Sequence, residues 1–231
     1  MAVVAGQQLK QVSDNKRNGV MNVTNIFIHG LGQNETSWDA VEAQLIMEHD
    51  RKAEKPNLYS MIKGRKADYD TLLQTFTDYC NDFDGKLNVC GLSLGGILAL
   101  DYTKRFPDKV NSMILIGTPC EIPKMLFKLQ WILFHLTPKT AFEKIGCSKK
   151  DFMSLVGSMV DLDISDALDQ IQCKTLVLCG AKDKANRNSA QLLNRQIKGS
   201  LLRIVDNASH EVNVHNPTEL SRVIKEFWSE Q

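Results

Sequence analysis

Apolar residues along this chain fall into short continuous runs, separated by stretches in which they recur at helical spacing. Asn25–His29, Leu87–Cys90, Val110–Gly117, Thr175–Gly180 and Leu201–Val205 are runs of the kind found in strands buried on both faces. Asn57–Met61 fits the same description, and Lys10–Val12 with Val20–Val23 frame Asn18-Gly19, a favoured two-residue hairpin turn. Helical spacing predicts a helix over Trp38–Glu48 behind a Thr36 or Ser37 cap. A second covers Tyr69–Phe83, with Leu72, Leu73, Phe76 and Tyr79-Cys80 on one face. Ile97–Tyr102 continues as a helix that stops before Pro107, and another spans Ser189–Ile197. The last begins with Asn216 as cap, Pro217 at its first position and Glu219 at its third, and runs to about Trp228. Strands that alternate with crossover helices predict an α/β protein, with a mostly parallel central sheet and helices on both faces.

One block breaks this alternation. Residues 119–172 contain no strand candidate and are too long for a simple crossover, so a helical cap inserted over the sheet is expected. Residues 1–118 and 173–231 would then form the core. Met125, Leu126, Leu129, Leu133 and Leu136 make one helical stripe, while Phe127, Trp131 and Phe134 face elsewhere. A helix so apolar all round must pack on two sides. A ligand cavity, a membrane surface, a second copy of the chain and ordinary packing are all open. Met153, Leu155, Val156 and Met159 could supply a second wall.

At 231 residues, 43% hydrophobic and 24% charged, the chain suits one large domain or a core with an insertion. A net charge of +1 gives no reason to expect nucleic acid or an anionic surface as partner. The six cysteines form no CxxC pair and no zinc-ligand spacing, so buried free thiols of a reducing compartment are expected. Met1–Ala5 is too short for a signal-peptide core, and Met125–Leu136 contains Lys128 and is too short to span a bilayer. The expectation is a cytoplasmic protein without stable membrane insertion.

The chemistry is concentrated between Gly91 and Gly95, where Gly-Leu-Ser93-Leu-Gly closes one apolar run and opens the next. A strand that turns sharply into a helix needs small residues on both sides of the turn, and it leaves the serine at the tip. A serine hydroxyl attacks only if a base takes its proton, and His210 is the candidate base, in a polar loop after Leu201–Val205. Asp183 follows Thr175–Gly180 and could orient the imidazole. The rivals are His215, just before the Asn216 cap, for the base, and Glu121 or Asp206 for the acid. His49 and His135 lie on predicted helices and read as surface or packing residues.

Four motifs in order, His29-Gly30-Leu31-Gly32, Gly91–Gly96, Gly180–Asp183 and Ala208–His210 followed by Asn216-Pro217, resemble the α/β-hydrolase superfamily over residues 20–231. The resemblance implies an α/β-hydrolase fold with Ser93 as nucleophile, Asp183 as acid and His210 as base, the Ser–Asp–His order of that fold. It places His29 as a structural histidine and the backbone N–H groups of Leu31 and Leu94 in an oxyanion hole. The Gly30 loop lacks both Gly-x-Gly-x-x-Gly and Gly-Lys-Ser/Thr, which disfavours a dinucleotide or phosphate cradle. The implied activity is that of a serine carboxylesterase or acylglycerol lipase, acting on a small-molecule ester with no cofactor or metal. Substrate contacts are expected at Gly30, Leu126, Leu129, Trp131 and Leu133. A thioesterase and a menaquinone-pathway-type carbon–carbon lyase would use the same triad, although the lyase should want arginines that 119–172 lacks. A non-catalytic receptor on the same scaffold is a further alternative.

Overall fold

The structure, a computed structural model, describes residues 22–45, 53–120 and 131–229. Its strands are β1 (Val23–Ile28), β2 (Lys86–Leu92), β3 (Val110–Ile116), β4 (Lys174–Gly180) and β5 (Leu201–Val205). The helices are α1 (Asp39–Leu45), α2 (Leu58–Met61), α3 (Tyr69–Asn81), α4 (Leu94–Arg105), α5 (Lys139–Glu143), α6 (Lys149–Ser158), α7 (Arg187–Gln196), α8 (Val212–His215) and α9 (Pro217–Ser229). Residues 131–136 are also helical.

All neighbouring strands pair in parallel, in the order β1-β2-β3-β4-β5. Because every strand runs the same way, every loop that follows a strand emerges at one edge of the sheet. Gly30, Ser93, Gly117, Asp183 and His210 all stand on such loops. Side chains alternate between the faces. Ile26, Ile28, Val89, Met113, Leu115, Val177 and Cys179 pack with α3, α4 and α7. Phe27, Cys90, Leu92, Ile114, Ile116, Leu176 and Leu178 pack with α1 and α9 on the other face. Each large apolar side chain buried this way contributes roughly 1.5–3 kcal/mol.

Local signals explain most of the elements. The Asp68 side chain accepts from Thr71 N at 2.9 Å to start α3, which buries Leu72, Leu73, Phe76 and Cys80. Asn216 Oδ1 accepts from Glu219 N at 3.2 Å, so α9 begins at the cap expected. The helix expected from Trp38 is preceded by a 3-10 turn, Glu35–Trp38, and its cap is Asn34 rather than Thr36 or Ser37. Asn34 wins because its Oδ1 accepts from both Thr36 N, at 3.1 Å, and Thr36 Oγ1, at 2.6 Å.

Asn57–Met61 is not a strand. Asn57 caps α2 by accepting from Ser60 N at 3.0 Å, and Leu58 N donates to the buried His29 ring at 3.1 Å. The chain touches the sheet slightly earlier instead, where Glu54 bridges Ile26 beside β1. Val23 opens β1 rather than closing a separate hairpin strand, and the hairpin expected before it lies outside the described residues.

Among the described residues of 119–172, the regular elements are helical: 131–136, α5, α6 and a 3-10 turn at Leu168–Gln170. Phe142, Phe152, Leu155 and Val156 join the same apolar cluster as α3 and α4. Phe152 sits among Tyr59, Phe134 and Phe142, at ring-centroid distances of 6.1, 4.9 and 4.8 Å. The six cysteines are free thiols, all buried except the half-buried Cys173. No helix among the described residues is long and apolar enough to cross a membrane.

Candidate active site

Ser93 joins β2 to α4 with φ +52° and ψ −111°, a conformation in which an L-residue is strained by roughly 1–3 kcal/mol. Its flanking glycines explain how the turn is tolerated. A Cβ on Gly91 would lie 2.2 Å from the Gly95 carbonyl oxygen, and one on Gly95 would lie 2.2 Å from that of Ile28. Strand and helix backbones therefore meet with no room for a methyl group. Ser93 N donates to Ile116 O at 2.8 Å, which ties the turn to the end of β3.

Asp183 and His210 meet across β4 and β5. His210 Nδ1 lies 2.9 Å from Asp183 Oδ2, with the carboxylate side chain 4% exposed and the imidazole 40% exposed. Burial pushes the Asp183 carboxyl up, but hydrogen bonds from His210 and Asn186 outweigh it and hold the group below its ordinary range. An ionised carboxylate only accepts, so Nδ1 carries a hydrogen, and in the neutral imidazole Nε2 is then the bare nitrogen. Gly117 packs against both partners: a Cβ there would lie 3.0 Å from His210 Nδ1 and 3.3 Å from Asp183 Oδ2. The carbonyl of Ile116, the residue before it, is the one that holds Ser93 N. No hydrogen bond joins the Ser93 hydroxyl to the His210 ring among the described residues; such catalytic bonds are often completed only with substrate in place.

The loop after β1 is held from several sides. His29 is fully buried, with Nδ1 2.9 Å from Gly30 O and Nε2 3.1 Å from Leu58 N. Leu58 N can only donate, so Nε2 accepts and the ring is neutral. Desolvation by burial lowers its pKa to about 4, against smaller raising effects from Gly30 O and Glu35. Gly32 N donates to the Tyr59 hydroxyl at 2.8 Å, and Gly30 N is 3.4 Å from Gln33 Oε1. The N–H groups of Leu31 and Leu94 have no hydrogen-bond partner among the described residues, and Leu94 N is a helix N-terminal donor.

Gln33, 6% exposed, and Asn213, fully buried, close an amide ring between this loop and the His210 loop. Gln33 Nε2 donates to Asn213 Oδ1 at 3.3 Å and to Glu211 Oε1 at 3.1 Å. Asn213 Nδ2 donates to Gln33 Oε1 and to Ser37 O, each at 3.2 Å. All four amide hydrogens are used. Sequence reading missed Gln33, Asn213 and Asn186, because side-chain amides partnered across the fold leave no pattern along the chain.

The other candidates fall elsewhere. His215 ends α8 with Nδ1 3.0 Å from Ser209 Oγ, and the Asp206 carbonyl accepts from Asn216 Nδ2 at 2.8 Å. His135 Nδ1 lies 2.9 Å from Trp131 O on the helical 131–136 segment. Trp131 is half-buried, and a Cβ on Gly157 would lie 3.3 Å from its ring. Leu133 is 55% exposed. His49, Glu121, Leu126 and Leu129 lie outside the described residues.

No family model matches the chain. It is 36% identical over 96 residues to a proline iminopeptidase of Saccharolobus solfataricus, covering 38% of this chain and 31% of that protein. Over 146 residues it is 23% identical to a pimeloyl-[acyl-carrier protein] methyl ester esterase of Nitrosomonas europaea, covering 63% of this chain and 55% of the relative. The chain thus spans between about a third and about half of the length of these curated relatives. A thermophilic esterase from Thermogutta terrifontis superposes with a TM-score of 0.69 at 18% identity, over 91% of this chain and 90% of that one.

Proposed function

The chain belongs to the α/β-hydrolase superfamily, and on that premise we propose that it is a serine hydrolase cleaving carboxylic esters of small or medium apolar acids. Residues 119–172 form the cap in this reading, with Trp131 and Leu133 among its substrate-side residues. The observation that carries the proposal is the pairing of a strained Ser93 elbow with a buried Asp183 carboxylate hydrogen-bonded to His210 at the same edge of the sheet.

The chemistry follows from these positions. Ser93 Oγ attacks the ester carbonyl carbon while His210 Nε2 takes its proton. The Asp183 carboxylate stabilises the imidazolium through Nδ1. The oxyanion draws on the N–H groups of Leu31 and Leu94, each such donor being worth ~100–1,000-fold in rate. His210 then passes its proton to the leaving alcohol, and the serine is left acylated. Water attacks the acyl-enzyme with His210 again as base, releasing the acid and restoring Ser93. Every atom is balanced without a cofactor or metal.

A chain-length series of p-nitrophenyl esters, run beside matched acyl thioesters, tests the reading. Ester turnover that exceeds thioester turnover and is lost in Ser93→Ala supports it. Thioester preference would move the protein to another leaving group, and no turnover of either would remove the hydrolase reading.

A further inference from the structure

Asn186 lies three positions after Asp183, in the loop that leads into α7. Its Nδ2 is 3.0 Å from Asp183 Oδ1, 2.9 Å from Asp183 Oδ2 and 3.1 Å from His210 Nδ1. Its backbone N adds a fourth contact, at 3.2 Å from Asp183 Oδ1. Were the amide turned over, its oxygen would face both carboxylate oxygens, so the nitrogen belongs there. The two carboxylate oxygens lie too close together to take one Nδ2 hydrogen each, so a single hydrogen is shared between them. His210 Nδ1 is itself a donor to Oδ2, so the 3.1 Å approach sets two donors side by side over one acceptor.

We propose that Asn186 is a positioning residue of the triad, whose amide holds the Asp183 carboxylate and keeps His210 in the tautomer that leaves Nε2 bare. This rests on the hydrolase reading only for its catalytic consequence. Asn186 also withdraws charge from the carboxylate and presents the positive end of its dipole to the imidazole. Both effects disfavour the imidazolium, so they act in the same direction. Other titratable groups lie around the pair, but among the described residues none of them bonds to the His210 ring. Cys179, its thiol pushed up to about 11 by burial, donates to Asp183 O at 3.6 Å, and Arg187 Nη2 donates to Ala181 O at 2.8 Å. Glu211 accepts from Gln33, His215 contacts Ser209, and the exposed Lys182 and Lys184 flank Asp183 in the chain.

Neutral His210 is the base, so a more stable imidazolium moves the acid limb of kcat/KM to higher pH. Asn186→Ala should raise that limb by about half a pH unit or more, and Asn186→Asp, nearly the same shape with a negative charge, by about one unit or more. The His210 ring titration followed by NMR in a Ser93→Ala background should move by the same amounts without any turnover. If Asn186→Ala fails to fold, the isosteric Asn186→Asp still decides the matter. Upward movement of both midpoints supports the proposal. Midpoints within about 0.2 units of the parent, with only the plateau rate lowered, would reduce Asn186 to a structural residue and overturn it. Failure of the hydrolase reading appears separately, as absent ester turnover in the wild type while the NMR midpoint still responds.

Discussion

The Gln33–Asn213 amide ring is a sharp test of how the Gly30 loop and the His210 loop are held together. In Gln33→Leu, the Asn213 Oδ1 loses its donor while fully buried. The lost hydrogen bonds cost about 1 kcal/mol net each, and the orphaned acceptor a further ~1–3 kcal/mol, so a loss of about 3 kcal/mol is expected. Asn213→Leu leaves Gln33 with Glu211 and Gly30 but strips Ser37 O of its donor, for about 2–3 kcal/mol. The double variant replaces both partners with apolar groups and leaves neither amide stranded. Its loss should therefore fall short of the sum of the single losses by about 2 kcal/mol. Urea unfolding of the four proteins, analysed with a common slope, measures this directly. Single losses that add to within ~0.5 kcal/mol would show that the two amides act independently, and the ring would not be a coupling device.

Two other outcomes follow from the site. The His29 pKa of about 4 lies below the ordinary 6.5, so the unfolded chain binds more protons between these values and stability falls as pH drops through that window. The loss should reach about 3 kcal/mol at pH 4, and His29→Asn should flatten the pH dependence of urea midpoints between 6.5 and 4. Asp183→Asn removes the charge that fixes the His210 tautomer, and kcat for a p-nitrophenyl ester should fall by ~10,000-fold with KM within a few-fold. Glu121→Gln should leave the rate unchanged, and the opposite pattern would reassign the acid.

The sheet and the triad candidates were legible for the same reason: both depend on residue types whose spacing physics constrains. A run such as Leu176–Cys179 that is apolar at every position has few fates other than a strand buried on both faces. The Gly91–Gly95 turn admits almost nothing but small residues, because a methyl group on either glycine would collide with a backbone carbonyl. Asn57–Met61 misled because a short apolar segment has no period to read. Its fate was decided by two hydrogen bonds, the local Asn57 cap and the distant His29 ring. The cap at Asn34 was decided by which of several adjacent polar residues reached an amide first, and composition alone does not rank them. Asn186, Gln33 and Asn213 carry no motif at all. Their roles exist only once the Asp183 loop, the Gly30 loop and the His210 loop are brought to one edge of the sheet.

Reaction with a fluorophosphonate probe tests the central claim most directly, because it needs an activated serine and no knowledge of the substrate. Wild-type protein should be labelled covalently at Ser93, with labelling abolished in Ser93→Ala and slowed at least ~100-fold in His210→Ala. Absence of labelling in folded wild-type protein, or labelling that persists in Ser93→Ala, would contradict the assignment of Ser93 as nucleophile.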